Sequence, residues 1–128
     1  MGRSIRRRRV GGFVRLSEFK RGTVITVAAG GGIGHKPRPA IVVQNDDYAY
    51  ADTVLVVPLT GETRRGLLTS PVFEPDTNNG LKEPSRLMTN RLAGTPLTIV
   101  GKIIGTMSAE DMDRVDAALT LVLGLSAG

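Results

Sequence analysis

The chain contains no cysteine, no tryptophan and a single histidine, His35. Without cysteine there is no disulfide frame, no thiolate metal site and no cysteine nucleophile. One imidazole is too few for a tetrahedral zinc centre, which needs several such ligands. A Ser-His-Asp triad would have to use His35, and no serine stands in a nucleophile-elbow sequence. Gly30, Gly31, Gly32 and Gly34 crowd one segment, but no third glycine falls at the G-x-G-x-x-G offset and no helix follows, so a dinucleotide site is rejected. The Asp46-Asp47 pair sits after an apolar run and reads as turn chemistry rather than a metal-binding pair. No cofactor and no metal are expected. No apolar run approaches the roughly 18–20 residues needed to span a bilayer. Arg6 to Arg9 are followed by a stretch too short and polar for a secretory h-region. The expectation is a cytoplasmic protein with no membrane contact.

What is present is unevenly spread. The 128 residues suit one domain, and the net charge of +5 invites a nucleic-acid reading. Residues 1–21 hold eight basic side chains against the single acid Glu18, while the rest of the chain holds nine against eleven. The surplus therefore belongs to the first twenty-one residues, and the body is slightly acidic. Residues 1–18 read as a basic, disordered extension, either an electrostatic arm for nucleic-acid phosphates or, the plainer reading, a solvated tail. The domain is expected over residues 19–125.

Within that domain Val24 to Val27, Ala40 to Val43 and Val54 to Leu59 read as strands. The third is almost continuously apolar, which implies burial on both faces or a subunit contact. Val72-Phe73, Ser85 to Thr89 and Ile99 to Ile104 are weaker strand candidates. Asp76-Thr77-Asn78-Asn79-Gly80 is a turn, and Gly94-Thr95-Pro96 reads as a connection. One helix is expected at the end: Ser108 with Asp111 forms a capping box, and Met112, Val115, Leu119, Val122 and Leu123 share one face before Gly124. Short strands, a late helix and no βαβ rhythm predict a small antiparallel barrel with a packed terminal helix.

Against this background Lys36-Pro37-Arg38-Pro39 stands out. Each proline fixes its own φ and restricts the residue before it, so Arg38 is held with little backbone freedom where a glycine-rich loop enters a strand. A rigid guanidinium suits phosphate or carboxylate recognition. Thr60 ends the third strand. If strands two and three are antiparallel neighbours, Arg38 and Thr60 fall at one edge, with Arg64 and Arg65 on the following loop. Such a cleft suits a phosphodiester.

Arg21-Gly22, KPRPAIVVQND at 36–46, VLVVPLT at 54–60, NGLKEPS at 79–85, GKIIG at 101–105 and the helix at 113–125 together resemble the MazF/PemK (Kid) toxins of bacterial toxin–antitoxin systems. The resemblance covers about residues 20–125. It implies an SH3-like β-barrel with a C-terminal helix (mainly β, of the CcdB/PemK/MazF-like kind), usually a homodimer. It also implies metal-independent, sequence-selective cleavage of single-stranded RNA by the RNA's own 2′-hydroxyl, leaving a cyclic phosphate and a 5′-hydroxyl. The resemblance places the catalytic pair on Arg38 and Thr60; RNA contacts are expected at His35, Lys36, Arg64, Arg65, Asn90 and Arg91, with His35 also a candidate base and Asn90-Arg91 standing where relatives often carry Asp-Gln. The implied partner is a cognate antitoxin whose acidic tail lies in the dimer groove. Many members carry an acid five residues ahead of the arginine, where this chain has Ile33. Two other readings stay open: a member that binds RNA without cutting it, and a CcdB-like gyrase-binding toxin. The latter is disfavoured by the presence of both Arg38 and Thr60 and by the absence of a C-terminal tryptophan.

Overall fold

The computed structural model describes residues 19–28 and 36–125. The basic extension over 1–18, the glycine-rich segment with Ile33, and His35 lie outside the described residues.

The three β-branched runs form β1 (Thr23–Val27), β2 (Arg38–Val42) and β3 (Thr53–Thr60), each within two residues of the expected bounds. They pair antiparallel, β1 with β2 through Val24–Ile41 and Ile25–Ala40, and β2 with β3 through Ala40–Pro58 and Ile41–Val57. β4 (Val72–Phe73), β5 (Ser85–Leu87), β6 (Ala93–Pro96) and β7 (Val100–Thr106) complete the sheet. Its order is β4-β5-β3-β2-β1-β7, with β6 also on β3. The edge of β3 that faces away from β2 is divided, Thr53 to Val56 pairing β6 and Leu59 to Thr60 pairing β5. Two partners along one edge accompany the curl of the sheet into a half-barrel, the antiparallel SH3-like architecture that the strand pattern anticipates.

β6 corrects the sequence expectation. Ala93-Gly94-Thr95-Pro96 has weak strand propensity and reads as a connection, yet pairing with β3 makes it a strand. Its Thr95 is buried opposite Val54. Pro96 occupies the last position, where a missing N–H costs the ladder least.

Strand alternation divides the core between two faces. Val24, Ile41, Val57 and Leu59 meet Phe73, Leu87 and the helix α1 (Ala109–Leu123) through Met112, Val115 and Ala118. Ile25, Ala40, Val42, Val54 and Val56 face the other way and pack on Phe19. Val56 and Val57 are both buried, as the apolar run of β3 requires, whereas neighbouring Leu55 is 37% exposed. The Ser108 hydroxyl accepts the Asp111 N–H at 3.0 Å to cap α1, and Gly124 ends the helix at φ 70°. The expected apolar face is buried only in its first half. Val122 and Leu123 are exposed, and Ala118 takes a core position that the sequence pattern leaves out.

Candidate active site

Arg38 is the first residue of β2, and Thr60 is the last of β3. The paired residues Ala40 and Pro58 set a register that, carried two positions further, puts Arg38 across from Thr60. Beside this end of the sheet lies a groove of about 880 Å³ whose wall includes Lys36, Arg38, Leu59 and Gly61. Arg38 is exposed there. Leu59 and Gly61 line the groove, and Thr60 between them is not among its lining residues. Thr60 is half-buried, and its Oγ1 accepts the backbone N–H of Glu62 at 3.2 Å. The hydroxyl therefore keeps its own proton available for donation.

Three further charged residues complete the groove: Lys82, Glu83 and Lys102. Sequence reasoning did not select them, because each owes its place to a distant contact. Lys82 and Glu83 follow the turn at 76–80, which is organised by the fully buried Asn79. The Asn79 amide donates to the Glu74 carbonyl at 2.9 Å, and its Oδ1 accepts the N–H groups of Leu81 (3.0 Å) and Asp76 (3.2 Å). Gly80 has φ +73°, and a Cβ there would lie 2.1 Å from the Ile104 carbonyl oxygen, so the turn presses on β7. Lys102 belongs to a register irregularity between β1 and β7. There the Thr26 hydroxyl accepts the Lys102 N–H at 3.1 Å, standing in for a ladder bond. Bulges of this kind re-aim side chains next to functional sites. The only sequence sign was Gly101 ahead of Lys102.

The remaining sequence-selected residues are not drawn into the groove. Arg64 is highly exposed and donates through Nε to Glu62 at 2.8 Å. That bond holds the Glu62 carboxyl below its usual range and raises the Arg64 guanidinium in turn. Arg65 is exposed on the same loop, and its carbonyl accepts the Ser70 hydroxyl. Asn90 and Arg91 are exposed in a 3₁₀ turn, Thr89–Arg91, that follows β5. Of the expected set, the described groove thus gathers Lys36 and Arg38, with Thr60 adjoining. Among the described residues the ion pairs are Arg21–Asp116, Arg64–Glu62, Arg86–Glu62 and Arg114–Asp111, so none of the groove's charges takes part in one. No group of three or more His, Cys, Asp or Glu side chains among the described residues is placed to hold a metal ion. No helix among them is long and apolar enough to cross a membrane.

Comparison with known proteins follows the same outline. The sequence model of the PemK-like, MazF-like toxin of type II toxin–antitoxin systems matches residues 20–123. A probable endoribonuclease MazF of Mycolicibacterium smegmatis is 33% identical over 108 residues, spanning 84% of this chain and 99% of that protein. Among solved structures, the Mycobacterium tuberculosis toxin MazF-mt6 superposes with a TM-score of 0.64 at 26% identity, covering 80% of this chain and 97% of its own. A mycobacterial endoribonuclease in complex with its cognate antitoxin gives a TM-score of 0.66 at 22% identity, with coverage of 85% and 98%; at that identity the likeness concerns the fold.

Proposed function

The chain belongs to the PemK-like, MazF-like toxin family of type II toxin–antitoxin systems, and from that premise we propose that it is a toxin that cuts single-stranded RNA at the Arg38 groove. The observation that carries the reading is Arg38 itself, a proline-flanked guanidinium at the head of β2, outside any ion pair among the described residues, in a groove shared with Lys36, Lys82 and Lys102.

Four cations on one wall attract the RNA backbone. The RNA supplies its own nucleophile, the 2′-hydroxyl, which attacks the adjacent phosphorus and leaves a 2′,3′-cyclic phosphate and a 5′-hydroxyl. The protein's task is to stabilise charge on the phosphorane oxygens, and a preorganised guanidinium does this at any physiological pH. Thr60, across from Arg38, donates its hydroxyl proton to a non-bridging oxygen. Because the charge is met by guanidinium and ammonium groups, the reaction proceeds without a metal ion. The exposed apolar residues Leu121, Val122, Leu123 and Leu125 at the end of α1 support a homodimer. The family premise assigns a cognate antitoxin with an acidic tail, and a cytoplasmic site of action.

The test is to incubate the protein with a long defined RNA in EDTA and map the new 5′-ends. Cuts should recur at one short sequence, with 5′-hydroxyl ends, and disappear in Arg38→Ala. No cutting above a protein-free control, or full cutting by both Arg38→Ala and Thr60→Ala, would overturn the reading.

A further inference from the structure

Cyclisation at an RNA phosphate also needs a group to take the proton of the 2′-hydroxyl. Lys36, Arg38, Lys82 and Lys102 are donors without a lone pair at neutral pH. The two hydroxyls on the groove wall, Thr26, which accepts the Lys102 N–H, and Ser85, which donates to the Glu83 carbonyl at 2.9 Å, are neutral and far weaker bases than a carboxylate. One carboxylate stands among the described groove residues, that of Glu83.

Its placement is specific. A Cβ added to Gly61 would lie 2.7 Å from Glu83 Oε2 and 3.1 Å from Cδ, so the carboxylate rests on the backbone immediately after Thr60. A side chain at residue 61 would displace the carboxylate from this position. The Glu83 backbone is fixed on both sides. Pro84 restricts its conformation, and buried Ser85 starts β5. Leu81, two residues earlier, is held by Asn79. The charged groups that share the groove with Glu83 are Lys36, Arg38, Lys82 and Lys102, and none pairs with it among the described residues. The carboxylate is thus placed in the groove beside the Thr60–Gly61 backbone and open to water.

We propose that Glu83 is the proton acceptor of the cleavage reaction, an inference that rests on the ribonuclease reading above. The proton of the 2′-hydroxyl passes to a Glu83 carboxylate oxygen as the O2′–P bond forms and the P–O5′ bond breaks. The departing 5′-oxygen leaves with the bonding pair and takes a proton from water. Glu83 then returns its proton to solvent, so the groove is restored with no net gain or loss.

The experiment compares the full-length wild type with Glu83→Gln, Glu83→Asp and His35→Ala in single-turnover cleavage of one mapped RNA across pH. Binding is measured to the same RNA carrying a 2′-deoxy nucleotide at the cut. Glu83→Gln should cut at least about 100-fold more slowly, the scale of a lost general base. It should also lose the acidic limb of the rate profile and bind the deoxy RNA within about threefold of wild type. Glu83→Asp should recover part of the rate. Wild-type-like cutting by Glu83→Gln overturns the proposal, as does a collapse of RNA binding in that variant, or an acidic limb that vanishes in His35→Ala instead. If Arg38→Ala is inactive while Glu83→Gln cuts normally, this inference alone falls. If the wild type does not cut RNA, the ribonuclease reading falls and this inference with it.

Discussion

Two groups of cations in this molecule look alike in sequence and differ in how they are held. Arg21, Arg86 and Arg114 each join a backbone carbonyl to a carboxylate. Arg21 donates to the Val43 carbonyl and to Asp116; Arg86 donates to the Glu62 carbonyl and faces the Glu62 side chain; Arg114 donates to the Val72 carbonyl, stands near Asp111 and lies 4.5 Å over the Phe73 ring. These three tie loops and helix to the sheet. At the head of β2, Arg38, Lys36, Lys82 and Lys102 share a groove and enter no ion pair among the described residues. The contrast separates cations that brace the fold from cations gathered in a groove, a distinction that neither pI nor a count of arginines makes.

Mutations on the two sides should therefore separate activity from stability. The largest effect is expected for Arg38→Ala: a loss of about 10²- to 10³-fold in single-turnover cleavage, as for removal of one transition-state charge stabiliser, with an unchanged melting temperature. Gly80→Ala should instead destabilise the fold, by forcing a side chain into the Ile104 carbonyl at a left-handed φ. It should cost about 3 kcal/mol in denaturant unfolding. Arg21→Ala, whose side chain is partly exposed, should cost only about 1 kcal/mol and leave cleavage by the folded protein intact.

Smaller effects sharpen the same comparison. Binding of an uncleavable RNA should weaken with salt, and Lys102→Ala should reduce the log–log slope by about 0.7, one phosphate contact on a single strand. Arg64→Ala should have the smallest effect of all. Because Arg64 lowers the Glu62 carboxyl, its contribution to stability is present above the ordinary carboxyl value of 4.5. It fades as pH falls through the lowered one. Unfolding of wild type and variant should differ slightly at neutral pH and converge in acid.

Much of this was legible in the sequence, and the failures have physical reasons. β1, β2, β3 and α1 declare themselves through β-branched runs and a serine cap, which are local properties. Arg38 was legible because prolines restrict it whatever the fold. β6 was not, since its pairing with β3 rather than its composition makes it a strand. Lys102 and Glu83 were not, since a register irregularity places the first and the buried amide of Asn79 helps place the second. Arg64 and Arg65 are not among the residues that line the described groove. A loop's sequence position does not reveal that Glu62 engages Arg64. The antiparallel register does bring Thr60 opposite Arg38, and Thr60 adjoins the groove without being one of its lining residues.

The most direct test of the central claim is a paired measurement on Arg38→Ala and Arg21→Ala: cleavage rate on one mapped RNA in EDTA, and thermal melting under the same buffer. Arg38→Ala should melt with the wild type and cut about 100-fold more slowly or worse, while Arg21→Ala should melt earlier and still cut. Arg38→Ala that cuts at the wild-type rate, or that loses cutting only because it unfolds, would contradict it.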